Sequence, residues 1–223
     1  MKRKNSLNKT KVILGFILEF SILIIGTIGV ILQIGLFTEN PRFETLNYYT
    51  IISNIICVIY ILCKIIYKFV NIKKEKNEFL SRFRGSVVMC ITVTMIIYHL
   101  LLSGRFSMNG TIQISNIILH YFVPIAIIFD WLMFDKKGYY KKIDPIIWLS
   151  IPLIYFAYAL IIGANRVYTF YQGSHYPYYF IDVESIGIFA TCRNALVIII
   201  AFTLLGYLIY FIDKKLGNKI KVC

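Results

Sequence analysis

From Ile114 to Phe134 the chain reads Ile-Ser-Asn-Ile-Ile-Leu-His-Tyr-Phe-Val-Pro-Ile-Ala-Ile-Ile-Phe-Asp-Trp-Leu-Met-Phe. As a helix rising 1.5 Å per residue it covers roughly 30 Å, the apolar thickness of a bilayer. It nevertheless carries Asn116, His120, Pro124 and Asp130. Polar groups there cost free energy, which pairing or function must offset. A second run, Asn47 to Val70, opens with Tyr-Tyr-Thr-Ile-Ile-Ser-Asn at 48–54. These two stretches predict that Thr50 and His120 meet across a buried pocket.

The surrounding sequence is of the same kind. Of 223 residues 58% are hydrophobic, the mean hydropathy is +0.71, and the apolar residues come in long runs. That excludes a soluble domain with one core. Runs at about 12–37, 47–70, 85–103, 115–134, 146–164 and 185–212 predict an all-α polytopic membrane protein, a bundle of six transmembrane helices. A basic segment, 1–11, precedes them, and a basic tail, 213–223, follows. The first run is too long for a signal peptide and lacks a small-residue cleavage site, so it is expected to be a retained helix.

The net charge of +13 would point to nucleic acid in a soluble protein. Here the cations sit in short connections, where they orient a membrane protein, and no nucleic-acid partner is expected. Eighteen Lys and Arg fall at the N-terminus, in the second and fourth connections and at the C-terminus, against Arg42, Arg105 and Arg166 on the other side. The positive-inside rule then places both termini in the cytoplasm. Lys64 and Lys68 are expected to snorkel from the second helix, while Arg193 lies within the sixth.

Direction and rise give depth. Thr50, Ser53 and Asn54 fall roughly 5–10 Å below the outer boundary, Asn116 and His120 at roughly 2–9 Å, His99 near 6 Å and Arg193 near 12 Å. Thr50 and Asn54 are i, i+4, as are Asn116, His120 and Pro124, so each set shares a helix face. A polar pocket in the outer half is expected, although Ser, Thr and Asn in membrane helices commonly serve only to bond another helix. Asp130, about 15 Å from His120, is expected to pair with Lys136, Lys137 or another cytoplasmic cation, with Trp131 anchoring at the interface. Glu19 is an intramembrane carboxylate open to either a partner or a function. The connection 165–184 is rich in aromatic residues, which suits an interfacial belt or a lid; its Asp182 could reach Arg193 or His175.

A threonine hydroxyl becomes a nucleophile when a base takes its proton, and imidazole is the usual base near neutral pH. Thr50 and His120 could form such a dyad, with Ser53, Asn54 or Arg193 stabilising an oxyanion and His99 and Asn116 contributing to substrate binding. The six-span plan, Tyr-Tyr-Thr-Ile-Ile-Ser-Asn at 48–54, His-Tyr-Phe-Val-Pro at 120–124 followed by Asp130-Trp131, and Tyr-Pro-Tyr-Tyr-Phe-Ile-Asp at 176–182 resemble the androgen-induced / FAR-17a-like six-span membrane family, in its bacterial branch. The resemblance covers about residues 12–212. It implies an intramembrane threonine hydrolase that cleaves fatty-acyl esters, including fatty-acid esters of hydroxy fatty acids, with Thr50 as nucleophile and His120 as base.

Two other readings stay open. The polar layer could bind or transport a lipid or small molecule without cleaving it, or His99 and His120 could be paired haem ligands. No Gly-rich phosphate loop and no Gly-x-Ser-x-Gly elbow occurs. Cys57, Cys63, Cys90 and Cys192 lie in apolar runs without metal spacing and read as small core residues. No cofactor or metal is expected; the expected partners are membrane lipids and a lipid ester substrate. The Lys-, Ile- and Asn-rich composition suits a bacterial plasma membrane.

Overall fold

A computed structural model describes the backbone at residues 2–70, 78–104 and 110–222, and the side chains at 9–70, 78–104 and 110–218. Six long helices account for most of it: Lys2–Ile34 (α1), Tyr49–Val70 (α2), Glu78–Leu102 (α3), Thr111–Phe134 (α4), Asp144–Ala164 (α5) and Val183–Val222 (α6). All six contain a stretch long and apolar enough to cross a membrane, and the described residues include no strand. The protein is an integral membrane protein with an all-α, six-helix fold.

Several boundaries move from their expected places. α1 begins at Lys2, so the basic N-terminus is part of the helix. It stops at Ile34 because Gly35 turns left-handed (φ +68°) and Leu36 N–H donates to Ile31 O at 3.2 Å, a Schellman closure. α3 starts seven residues before the expected position, which puts Arg82 and Arg84 on a helix rather than in a connection. The basic tail likewise continues α6, whose helical path is interrupted at Gly187 (φ +77°). Lys73, Lys74, Lys76, Arg105 and Cys223, and the side chains of Lys2, Arg3, Lys4, Lys219 and Lys221, lie outside the described residues.

α1, α2, α3 and α4 pack in a closed ring, each against the next, and α5 and α6 add to the far side of α3. α3 is therefore the central element. Val87 to Ile91 are buried without a break, the mark of a helix enclosed on all sides. Gly85 permits the closest of these contacts, because a Cβ there would stand 2.0 Å from Trp148 of α5. Cys57 and Cys90 are buried as expected, but Cys63 and Cys192 are exposed.

At the end of the bundle that carries both termini, all four ring helices contribute to one buried ionic cluster. Lys64 Nζ meets Glu19 at 2.8 Å, Asp130 at 2.7 Å and Asp135 at 2.6 Å. Lys68 meets Glu19 at 2.6 Å, while Arg84 bonds Asp130 and lies 3.2 Å from Asp135. Three cations thus face three carboxylates, so each desolvated charge has a counter-charge. This corrects three expectations. Lys64 does not snorkel but is 8% exposed, and Arg84, counted above among the orienting loop cations, is 2% exposed. Trp131 is buried beside Tyr140 rather than anchored at an interface. Asp130 does find cations at this end, as expected, in Lys64 and Arg84, while Lys137 bonds the Trp131 carbonyl.

Candidate active site

The other end of the ring holds the second polar layer, and Pro124 explains how α4 presents it. Proline has no N–H, so the carbonyl four residues back, that of His120, has no helical donor, and the ring crowds it. The helix relieves this by widening into a π turn over Ile118–Phe122, with Val123 N–H reaching back to Ile118 O. His120 sits in the middle of that turn. A second π turn, Tyr98–Leu102, ends α3 beside it. The two turns pack through Tyr98, whose ring lies on the imidazole of His120 with centroids 3.6 Å apart and planes at 18°.

Thr50 Oγ1 is 3.1 Å from His120 Nε2. The other ring nitrogen, Nδ1, is 3.1 Å from the Asn116 carbonyl, which can only accept. The proton therefore belongs on Nδ1, leaving Nε2 bare to accept from the threonine hydroxyl. Asn54 holds α2 to α4 by donating from Nδ2 to Thr50 O at 2.7 Å and Leu119 O at 3.1 Å. Ser53 donates to Thr50 O at 3.0 Å and is 2.7 Å from the hydroxyl of Thr94 on α3. Asn116 donates to Ile112 O at 2.8 Å, so its side chain braces its own helix, while its carbonyl orients the histidine.

Thr50 also lines a cavity of about 80 Å³ at the junction between the ring and the α5–α6 pair. Its walls are almost wholly apolar: Ile97 of α3, Leu149 and Phe156 of α5, and Ile198 and Phe202 of α6 are among them. Pockets for whole ligands usually begin near ~300 Å³, so this space suits the part of an apolar chain next to a reacting group, the rest lying between helices.

The connection 165–182 closes over this cavity. Gln172 and Gly173 turn left-handed (φ 60° and 80°) and Phe170 N–H donates to Ser174 O at 2.7 Å, folding the segment back on itself. Gly163 of α5 leaves room for the Tyr176 ring; a Cβ there would lie 2.3 Å from it. Asn194 of α6 donates to Phe180 O at 3.0 Å. Held this way, Tyr178 reaches the start of α2, where its hydroxyl accepts from the Thr50 N–H at 3.4 Å. Two tyrosines of α5 fix the residues just before: Tyr155 donates to Asn47 O at 3.0 Å, and Tyr158 bonds the Asn47 side chain.

Thr50, Ser53, Asn54, Asn116 and His120 thus come together, and two expected members do not. His99 is exposed and bonds Tyr121 (3.2 Å), outside the Thr50–His120 contact. A paired-histidine haem site does not match this arrangement, since both His120 nitrogens are engaged by the chain and Tyr98 covers its ring. Arg193 is exposed on α6 and does not line the cavity. Its neighbour Asn194 bonds the roof, but its own side of the helix faces outward. Asp182 takes neither Arg193 nor His175; Ser174 and Ser185 donate to it at 2.7 and 2.8 Å. Tyr98, Thr94 and Tyr178 are the residues that sequence reasoning missed. Pro124 signalled the π turn, and the Tyr-Pro-Tyr-Tyr stretch signalled the roof. No family model, curated protein or solved structure matches the chain.

Proposed function

We propose that the protein is an intramembrane lipid hydrolase in which Thr50 attacks a fatty-acyl ester and His120 takes its proton. The observation that carries this is the 3.1 Å contact between Thr50 Oγ1 and a histidine whose other nitrogen is committed to a backbone carbonyl, at the wall of an apolar cavity. A hydroxyl paired with an oriented base is the arrangement that activates a weak nucleophile. The sequence motifs support a place in the bacterial branch of the androgen-induced / FAR-17a-like family, with esters of hydroxy fatty acids among the substrates. The cation asymmetry supports a plasma-membrane orientation with both termini cytoplasmic, which sets the Thr50 layer near the outer leaflet.

Turnover of a panel of fatty-acyl esters, including esters of hydroxy fatty acids, by detergent-purified protein tests the reading. Thr50→Ala and His120→Ala are each expected to abolish cleavage while eluting as folded protein. Unchanged activity in either variant removes that residue from the mechanism. Thermal stabilisation of the wild type by lipids that it never cleaves would favour binding or transport instead.

A further inference from the structure

The donors expected to stabilise an oxyanion are spent elsewhere. Both Asn54 amide protons go to backbone carbonyls, Ser53 donates to Thr50 O, and Arg193 faces away. A different pair of donors stands beside the nucleophile, joined only by a long contact. Thr50 is the second residue of α2, so its N–H has no acceptor within the helix, and the positive end of the helix dipole lies there. The Tyr178 hydroxyl sits over that N–H at 3.4 Å, a long contact against the usual 2.7–3.2 Å. Beside that contact, the phenol also meets the side chains of Thr50 and Tyr155.

We infer that the Thr50 N–H and the Tyr178 O–H together form the oxyanion site, so that the roof of the cavity supplies a catalytic residue. The inference rests on the hydrolase reading. When Thr50 Oγ bonds to the ester carbon, the carbonyl π pair moves onto oxygen, and the two donors take up that charge. The threonine proton passes to His120 Nε2, which returns it to the departing alkoxide as the tetrahedral species collapses to acyl-Thr50. Water then attacks the acyl-enzyme by the same route, giving up its proton to His120 and releasing the carboxylic acid and free Thr50. Tyr178 gives a hydrogen bond throughout and keeps its proton. Burial pushes its phenol up to about 12 against the opposing pull of the Thr50 hydrogen bonds, so it remains a neutral donor at physiological pH. Because Tyr178 belongs to the roof, opening the connection 165–182 dismantles the oxyanion site, and closure over a bound chain assembles it.

Tyr178→Phe separates this role from packing. It keeps the ring stacked on Phe180 (5.2 Å, 9°) and against Tyr48 (5.5 Å) while removing only the hydroxyl. With 4-nitrophenyl octanoate and the full chain in detergent, kcat is expected to fall on the order of 10²–10³-fold, as for loss of one oxyanion donor. KM and the acid limb of the pH–rate profile should hold. Labelling of Thr50 by a fluorophosphonate, whose phosphonyl oxygen needs the same donors, should slow in parallel. Wild-type rates in Tyr178→Phe, or a loss confined to KM, overturn the assignment and leave the dyad standing. A wild type that neither turns over the ester nor labels at Thr50 overturns the hydrolase reading and this one with it.

Discussion

Asp130→Asn probes the ionic cluster with almost no change of shape. Asp130 is wholly buried and receives Lys64 at 2.7 Å together with Arg84. Neutralising it leaves Lys64 two carboxylates, Glu19 and Asp135, but leaves Arg84 only the 3.2 Å contact to Asp135. A guanidinium that is 2% exposed is then under-compensated. Removing one partner of a buried pair costs about 3–5 kcal/mol, which for a chain of this size is a fall in Tm of roughly 6–20 °C. The assay is thermal unfolding of the purified protein in detergent, read by loss of the monodisperse elution peak. Glu184→Gln, at the exposed Arg166–Glu184 pair (3.0 Å), is the control, with an expected cost of about 0–1 kcal/mol. Asp130→Leu combined with Arg84→Met should recover most of the loss, because the orphaned charge is gone. If Asp130→Asn melts with the Glu184→Gln control, the cluster does not hold the ring together and the reasoning fails.

Three further tests concern the site. Pro124→Ala restores a donor for the His120 carbonyl and should convert the π turn to α-helix. The helix gains up to ~3 kcal/mol, while displacement of the imidazole slows fluorophosphonate labelling of Thr50 by about 10²-fold; labelling at the wild-type rate contradicts this. Gly163→Ala drives a Cβ to within 2.3 Å of Tyr176 and should cost about 1–3 kcal/mol, seen as faster tryptic cleavage after Arg166. Asp182 is subject to burial, which raises its pKa, but the Ser174 and Ser185 hydroxyls and nearby amides outweigh this and hold it below the ordinary carboxylate value. A depressed carboxylate contributes stability that is full above its unfolded pKa of about 3.9 and is lost as pH falls through the folded value. Pepsin should therefore cut the 165–182 connection increasingly below about pH 3.9, and in Asp182→Asn with no such threshold.

The meeting of Thr50 with His120 was legible in the sequence, and the rotation of the other helices was not. The rise per residue set Thr50, His120, His99 and Arg193 at similar levels, and Thr50 and His120 do touch. His99 and Arg193 are exposed instead, on other sides of their helices. α3 and α6 are apolar nearly all round, so nothing in their patterning marks which side faces inward. Lys64 misled for a related reason. Near a helix end a lysine ordinarily reaches water, but three carboxylates from α1 and the end of α4 stand close enough to hold it inside. Only the packing of those helices brings the carboxylates together. The roof was half legible, since the aromatic density of 165–184 was plain but the link from Tyr178 to Thr50 spans 128 residues of sequence.

The distribution of charges in the ionic cluster also bears on how the chain enters a membrane during synthesis. Each ring helix carries at least one charge that its own residues leave unpaired: Glu19 on α1, Lys64 and Lys68 on α2, Arg84 on α3, and Asp130 on α4, with Asp135 directly after it. None of these helices could be released alone into lipid without exposing an ion. As the α1–α2 hairpin forms, Glu19 cancels one of the two lysines and a single positive charge remains. The α3–α4 hairpin sets Arg84 against Asp130 and Asp135 and keeps a single negative charge. The halves emerge as complementary ions, so the first hairpin has reason to wait beside the translocon until the second arrives. α5 and α6 contribute nothing to the cluster and can follow once the ring is neutral.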